Sequence, residues 1–321
     1  MGWRDLLFID TETTGLGHGT GTLAFLIGVA RFRPVGLEIN HLFLRAYHEE
    51  SPLLLVLANW LRGTSAICTF NGRTFDLPLL KTRFTMNRLP FPACELVHLD
   101  LLPVARRFWG ERVGNCSLTS LESAILGFRR QNDILGSEIP SIYFEYQRSG
   151  DPCHLPAIVD HNTNDLLSLV GLAYRLATIF SPTRPDGQSP AGDELVGLGK
   201  LLYDNSQPTG AIAPLETALS HDLPPNLRSR ARHLLSLAYR QEGNLSQASA
   251  LWELMAAEGS PFALIELAKY LEHHRRDYRT ALDLVELAMA MARQASCAGG
   301  QAYAPASLEH RLRRLRRKLG R

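Results

Sequence analysis

At 321 residues, 45% apolar, 21% charged and carrying a formal charge of +2, the chain has the composition of globular protein and the length for two domains. No apolar run approaches the roughly 18 residues that a membrane span needs, and Met1-Gly2-Trp3-Arg4-Asp5 leads into the first strand without a signal-peptide pattern, so a cytoplasmic protein with no membrane partner is expected. Five scattered cysteines without a C-x-x-C pair argue against a zinc site or a disulfide framework.

In chain order, Leu6 to Ile9, Leu23 to Phe32 and Ile39 to Leu44 predict three strands, an opening meander. A helix is predicted over Leu53 to Leu61, a short buried strand at Ala66 to Phe70 and a helix over Thr74 to Phe84. A strand at Leu96 to Leu99 and a helix over Ser117 to Leu126, capped by Ser117, follow. Residues 129 to 158 bear prolines without a clear period, which predicts a long loop with short turns. From Pro156 to Phe180 the stripe Leu166, Leu169, Val170, Ala173, Ala177 and Phe180 marks the strongest helix of this half. Strands first, then strand and helix in alternation, predict an α/β domain over residues 1–180, a mixed sheet flanked by helices.

Residues 181–193 hold three prolines and two glycines and read as a linker. From 194 to 321 every apolar segment is helical. Leu198 to Tyr203 with Ala211, Leu234 to Tyr239 with Ala248, and Leu264 to Tyr270 with Ala281 look like three copies of one helical hairpin. Their alanines stand 37 and 33 residues apart, close to the tetratricopeptide period of about 34. Such an array presents a surface to a protein partner or steadies its neighbour; a generic helical bundle is the alternative. The chain ends in an amphipathic helix, with Leu308, Leu312, Leu315 and Leu319 on one face and seven Arg or Lys against one Glu. A phosphate backbone, an anionic membrane surface or no ligand at all would suit that helix.

Three acidic motifs stand at the edges of apolar elements. Asp10 and Glu12, two apart on an extended chain, face one side, where their repulsion calls for a cation between them; a polar turn is the plainer alternative. Hard divalent cations take such oxygen ligands. Asn71-Gly72 makes a tight turn after a buried strand and places Asp76 in the first turn of the next helix, where the dipole favours an anion. His161 and Asp165, four apart on a helix, share a face.

With these motifs in view, FIDTETTGL, TFNGRTFDLPLLKTRF and HNTNDLLSLV resemble the three blocks of the DEDD (DnaQ-like) 3′ to 5′ exonuclease superfamily, most closely the YprB-like ribonuclease H-like proteins. The resemblance covers residues 1 to 180 well and the helical remainder loosely. His161 precedes Asp165 by four residues, the spacing of that superfamily's tyrosine subclass, whereas its histidine subclass usually has five. The resemblance implies a ribonuclease H-like fold followed by an all-α helical-repeat domain, and a nuclease of single-stranded DNA or RNA. It further implies that Asp10, Glu12, Asp76 and Asp165 hold two Mg²⁺ or Mn²⁺ ions, that His161 takes the proton from the attacking water, and that nucleoside 5′-monophosphates leave from a 3′ end. Thr11, Asn71 and Arg73 are the expected substrate contacts. A non-catalytic scaffold that binds nucleic acid through the same domain is the alternative function.

Other features point less far. Gly15 to Gly21 lacks the third glycine of G-x-G-x-x-G and precedes a strand, so a dinucleotide site fails on context; His18 in this loop is a candidate phosphate contact or a solvent-facing residue. Arg73, Lys81 and Arg83 are candidates for lining a nucleic-acid groove or for ordinary solvated helix faces, and Trp60 and Trp109 for the core.

Overall fold

The apolar run that opens the chain becomes strand β1 (Leu6–Thr13), which continues past Ile9 so that Asp10 and Glu12 lie within it. It sits centrally in a mixed sheet of order β3-β2-β1-β4-β5. β2 (Ala24–Arg33) and β3 (Gly36–Phe43) run antiparallel on one side, while β4 (Ala66–Thr69) and β5 (Val97–Asp100) run parallel on the other. β2 is apolar without alternation because both its faces are covered, the pattern of an interior strand. The computed structural model describes residues 2–15, 17, 19–181, 190–297 and 305–320. His18 and linker residues 182–189 lie outside the described residues.

Among its described residues the first unit, Met1–Asp186, carries the sheet and six α-helices: α1 (Glu50–Arg62), α2 (Asp76–Met86), α3 (Leu101–Val113), α4 (Leu118–Leu121), α5 (Ile139–Ser149) and α6 (Leu155–Phe180). One face of the sheet packs Leu7, Ile9, Phe25 and Ile27 against Leu54 and Leu57 of α1 and Leu80 and Phe84 of α2. α6 crosses β1, β2 and β3.

Several expectations need correction. The predicted loop over 129 to 158 contains α5, whose Tyr143 stacks on Phe25 at 4.0 Å and donates its hydroxyl to the Leu44 carbonyl. A buried aromatic with a satisfied polar tip fixes that helix where periodicity is weak. α3 was not foreseen at all. Asp100 caps it through the Leu102 N–H. The Ser117 cap does accept from the Ser120 N–H, but α4 passes into a π turn at Glu122–Leu126 rather than ending as a regular helix. On α6, Ala177 and Phe180 are exposed while Leu172, Leu176 and Ile179 are buried, so the core-facing stripe is rotated toward its end. Arg83 is no groove cation: it is buried, paired with Glu50 at 2.5 Å, and donates to the Thr20 carbonyl.

In the second unit, Gly187–Arg321, every regular element among the described residues is a helix. α7 (Gly192–Asp204) packs on α8 (Pro208–Ser220), α9 (Pro225–Gln241) on α10 (Leu245–Ala257) and α11 (Pro261–Tyr270) on α12 (Tyr278–Cys297). Ala211, Ala248 and Ala281 sit one turn into the second helix of each pair, fully buried, where small side chains let helices approach closely. α13 (Pro305–Lys318) packs on α12, burying Leu308 and Leu315. Among the described residues no helix is long and apolar enough to cross a membrane.

Candidate metal centre

β1 outruns its parallel neighbour. It pairs with β4 from Leu6 to Phe8, after which β4 ends and the chain turns away through Asn71, whose φ of +63° is left-handed. Asp10 and Glu12 therefore border the crevice beyond the carboxyl end of a parallel strand, the usual place for a site in such sheets. Gly72 permits the turn, since a Cβ there would stand 2.3 Å from Thr69 Oγ1. Asp100, at the end of β5, accepts the backbone N–H groups of Asn71 and Arg73 at 2.8 and 3.0 Å. The turn is thereby tied to the sheet, and Asp76 begins α2 at a fixed place. Thr11 donates its hydroxyl to Asp76 Oδ1 at 2.5 Å.

From the opposite side α6 delivers His161, Asn162 and Asp165. Asp10, Gly28 and His41 are paired neighbours across β1, β2 and β3. Asn162, fully buried, rests over Gly28 and donates its amide to Asp10 Oδ2 at 2.7 Å. Any Cβ on residue 28 would stand 1.8 Å from Asn162 Oδ1. Ligand atoms of Glu12, His161 and Asp165 lie within 4.8 Å of one another.

Four carboxylates thus converge, and their proton affinities reflect it. Burial raises Asp10 well above the carboxylate range, and the charges of Asp165, Glu12 and Asp76 raise it further. Burial lifts Glu12 to about 7 against the opposing pull of His161. Asp76 is lifted to about 6 by burial, although the Thr11 hydroxyl bond lowers it. Burial also raises Asp165, opposed by Arg130 and His161. Clustered, hard oxygen donors that repel one another fit divalent cations such as Mg²⁺ and Mn²⁺.

Sequence reasoning missed the network that supports this cluster. Arg130 pairs with Asp165, with the buried Glu122 and, at 3.0 Å, with Asp133. Ser168 of α6 donates to Glu122 at 2.6 Å. Asp133 Oδ1 lies 2.8 Å from His161 Nδ1, and His161 Nε2 lies 3.6 Å from Asp165 Oδ2. Burial would raise Asp133, but the bonds from His161 and Arg130 hold it below its usual value. A cavity of about 460 Å³ opens beside the cluster, lined by Asp10, Phe70, Asn71, Arg106, His161 and Asp165 among others. Of the three expected substrate contacts, Asn71 borders this cavity, Thr11 is buried against Asp76, and Arg73 is exposed on the turn held by Asp100.

A family model described as the RNase H superfamily matches residues 7–177. The chain belongs to the RNase H superfamily. That match spans all five strands and runs on through most of α6, so the mixed sheet is a ribonuclease H-like fold, followed here by the helices of the second unit. RNase H superfamily membership supports nuclease chemistry, nucleic acid as substrate and divalent metal as cofactor. The chain is also 32% identical over 321 residues to an uncharacterized protein, YprB, of Bacillus subtilis (strain 168), a similarity covering 98% of this chain and 75% of that relative. The helical unit is thus part of what the two proteins share.

Proposed function

We propose that the protein is a metal-dependent 3′ to 5′ exonuclease that hydrolyses single-stranded nucleic acid. The observation that carries this reading is the meeting of Asp10, Glu12, Asp76 and Asp165 beside His161, from three separate elements, at a crevice edge. Two Mg²⁺ or Mn²⁺ ions held by those four acids would lower the pKa of a water and neutralise charge on the scissile phosphate.

The chain's own residues supply the rest. Asn162 fixes Asp10 and Thr11 fixes Asp76, so two of the four acids are aimed before any ligand arrives. Asp133 accepts from His161 Nδ1–H, which leaves Nε2 as the acceptor on the side of Asp165 and Glu12. His161 then takes a proton from the water as its oxygen bonds to phosphorus and the bond to the 3′-oxygen breaks, releasing a nucleoside 5′-monophosphate. The cavity bounded by Phe70 and Arg106 offers an apolar ring and a cation to a terminal nucleotide. Three helical pairs with a buried alanine one turn into each second helix support the tetratricopeptide-like reading of the second unit and a role in holding a partner.

One observation favours the scaffold reading instead: Arg130 already lies on Asp165 and neutralises part of the cluster. End-labelled DNA and RNA strands incubated with Mg²⁺ or Mn²⁺ decide between the two. Stepwise shortening from the 3′ end, abolished in Asp10→Ala and Asp165→Ala without unfolding, is expected. A fully active Asp10→Ala protein refutes the assignment, and an absence of Mn²⁺ affinity dependent on Asp10 and Glu12 establishes the scaffold.

A further inference from the structure

The second unit has its own cavity, of about 320 Å³, between α9, α10 and α11. Arg240, Trp252, Glu266, Lys269, Tyr270 and His274 line it. Trp252 is 2% exposed, and among the described residues its indole Nε1–H is buried without a hydrogen-bond partner. A native fold seldom leaves such a donor unpaired, so an acceptor belongs beside it. Tyr270 meets Trp252 edge to face, and the exposed His274 stacks on Tyr270 with ring centroids 5.6 Å apart and planes inclined by 24°. That stack lies where α11 passes into a π turn (Leu271–Arg275), a distortion common at binding sites. Glu266 accepts from Arg240 at 2.7 Å and from Lys269 at 2.6 Å, and both cations remain partly open to solvent.

We propose that this pocket binds one nucleotide of a single strand of nucleic acid, giving the protein a second strand contact within its helical unit. The chemistry selects this occupant. A nucleobase carries both donors and acceptors on its edge: its donors suit the Glu266 carboxylate on the lining, and its acceptors suit the buried Trp252 N–H once the indole shifts to open it to the pocket. Its flat face matches the Tyr270 and His274 rings, and the adjoining phosphate suits Arg240 and Lys269. An acidic peptide would meet the same cations but would have no use for the aromatic plane. The inference rests on the reading of the first unit as acting on nucleic acid.

The test is strand binding by the full chain in EDTA, where no hydrolysis intervenes, followed by fluorescence polarisation of labelled single-stranded DNA and RNA oligomers. Lys269→Ala combined with His274→Ala changes one partly exposed and one exposed position and is expected to weaken binding about tenfold, the range of one lost stacking contact. Trp252→Phe removes the N–H and keeps an aromatic ring; it is expected to weaken binding severalfold, with an unchanged circular dichroism spectrum. Unchanged affinity in both variants overturns the proposal. So does displacement of the strand by a Glu-rich peptide from the parent chain but not from the Lys269→Ala, His274→Ala variant. Because cleavage plays no part, pocket-dependent strand binding without metal-dependent hydrolysis would sink the nuclease reading alone, and hydrolysis with pocket-independent binding would sink this one alone.

Discussion

At Gly28 the missing side chain is what lets α6 close on the sheet, because Asn162 occupies the space a Cβ would take and from there reaches Asp10. Gly28→Ala should push α6 outward, cost about 1–3 kcal/mol and cut metal-dependent hydrolysis. Asn162→Ala frees the space but leaves Asp10 without its donor. The two changes share one contact, so the double variant should be less destabilised than the sum of the singles, as a double-mutant cycle in urea will report. The acids themselves make a second prediction. The folded chain keeps protons on Glu12 up to about 7 and on Asp76 up to about 6, where the ordinary values are 4.5 and 3.8. Between those limits the native state binds more protons than the unfolded one, so stability of the metal-free protein falls as pH rises from about 4 to 7. Mn²⁺ needs the deprotonated acids and should raise the unfolding midpoint more at pH 8 than at pH 5.5. Glu12→Gln should stabilise the metal-free protein at pH 8, on the order of 1–3 kcal/mol, and blunt the Mn²⁺ response. Thermal unfolding with EDTA or Mn²⁺ across that range measures both.

Elements differ in how much of them the sequence exposes. Asp10, Glu12, Asp76, His161 and Asp165 were legible as candidates because each sits in a short motif at the edge of an apolar element, where strand or helix period gives its direction. Arg130, Asp133 and Glu122 were not, because their bonds join residues distant along the chain and nothing periodic marks them. The segment around them read as a loop. Pro140 near the start of α5 and Gly150 at its end were the available signals, a proline-in, glycine-out pair around a helix. Asp100 could likewise have been read as the cap of α3, but its hold on the Asn71 turn could not. The Arg130 network joins the π turn to α6 and so bears on both. Arg130→Met strands the buried Glu122 and should cost about 3–5 kcal/mol. Adding Glu122→Gln, which can still accept from Ser168, should restore a large part of that loss. Chemical denaturation of the two variants tests this, and equal instability in both would mean that Glu122 is not what Arg130 serves.

Across the whole molecule, charge is spent differently in the two units. In the first, like charges gather at the site, opposed by Arg130 and His161. In the second, the basic terminal helix resolves much of its charge internally: Arg311, Arg314 and Lys318 converge at 2.6, 2.7 and 3.0 Å on Glu272, whose side chain is fully buried. The amphipathic pattern of Leu308 to Leu319 foretold the packed face of this helix, but the partner carboxylate, a turn beyond α11, could not be read from it. Burial tends to raise Glu272, yet the bonds from Arg314 and Lys318 outweigh it and hold the group at about 2. A depressed carboxylate contributes stability that is complete above its ordinary 4.5 and is lost as pH falls toward 2. Glu272→Ala should therefore destabilise the helical unit by about 1–3 kcal/mol at neutral pH, and the difference from the parent chain should shrink steadily as pH falls from 4.5 toward 2. The Mn²⁺-dependent rise in midpoint, which belongs to the acids of the first unit, should survive the substitution. Unfolding of the full chain followed by circular dichroism, with and without Mn²⁺, separates the two effects; a Glu272→Ala protein that no longer responds to the ion would show that the units are coupled.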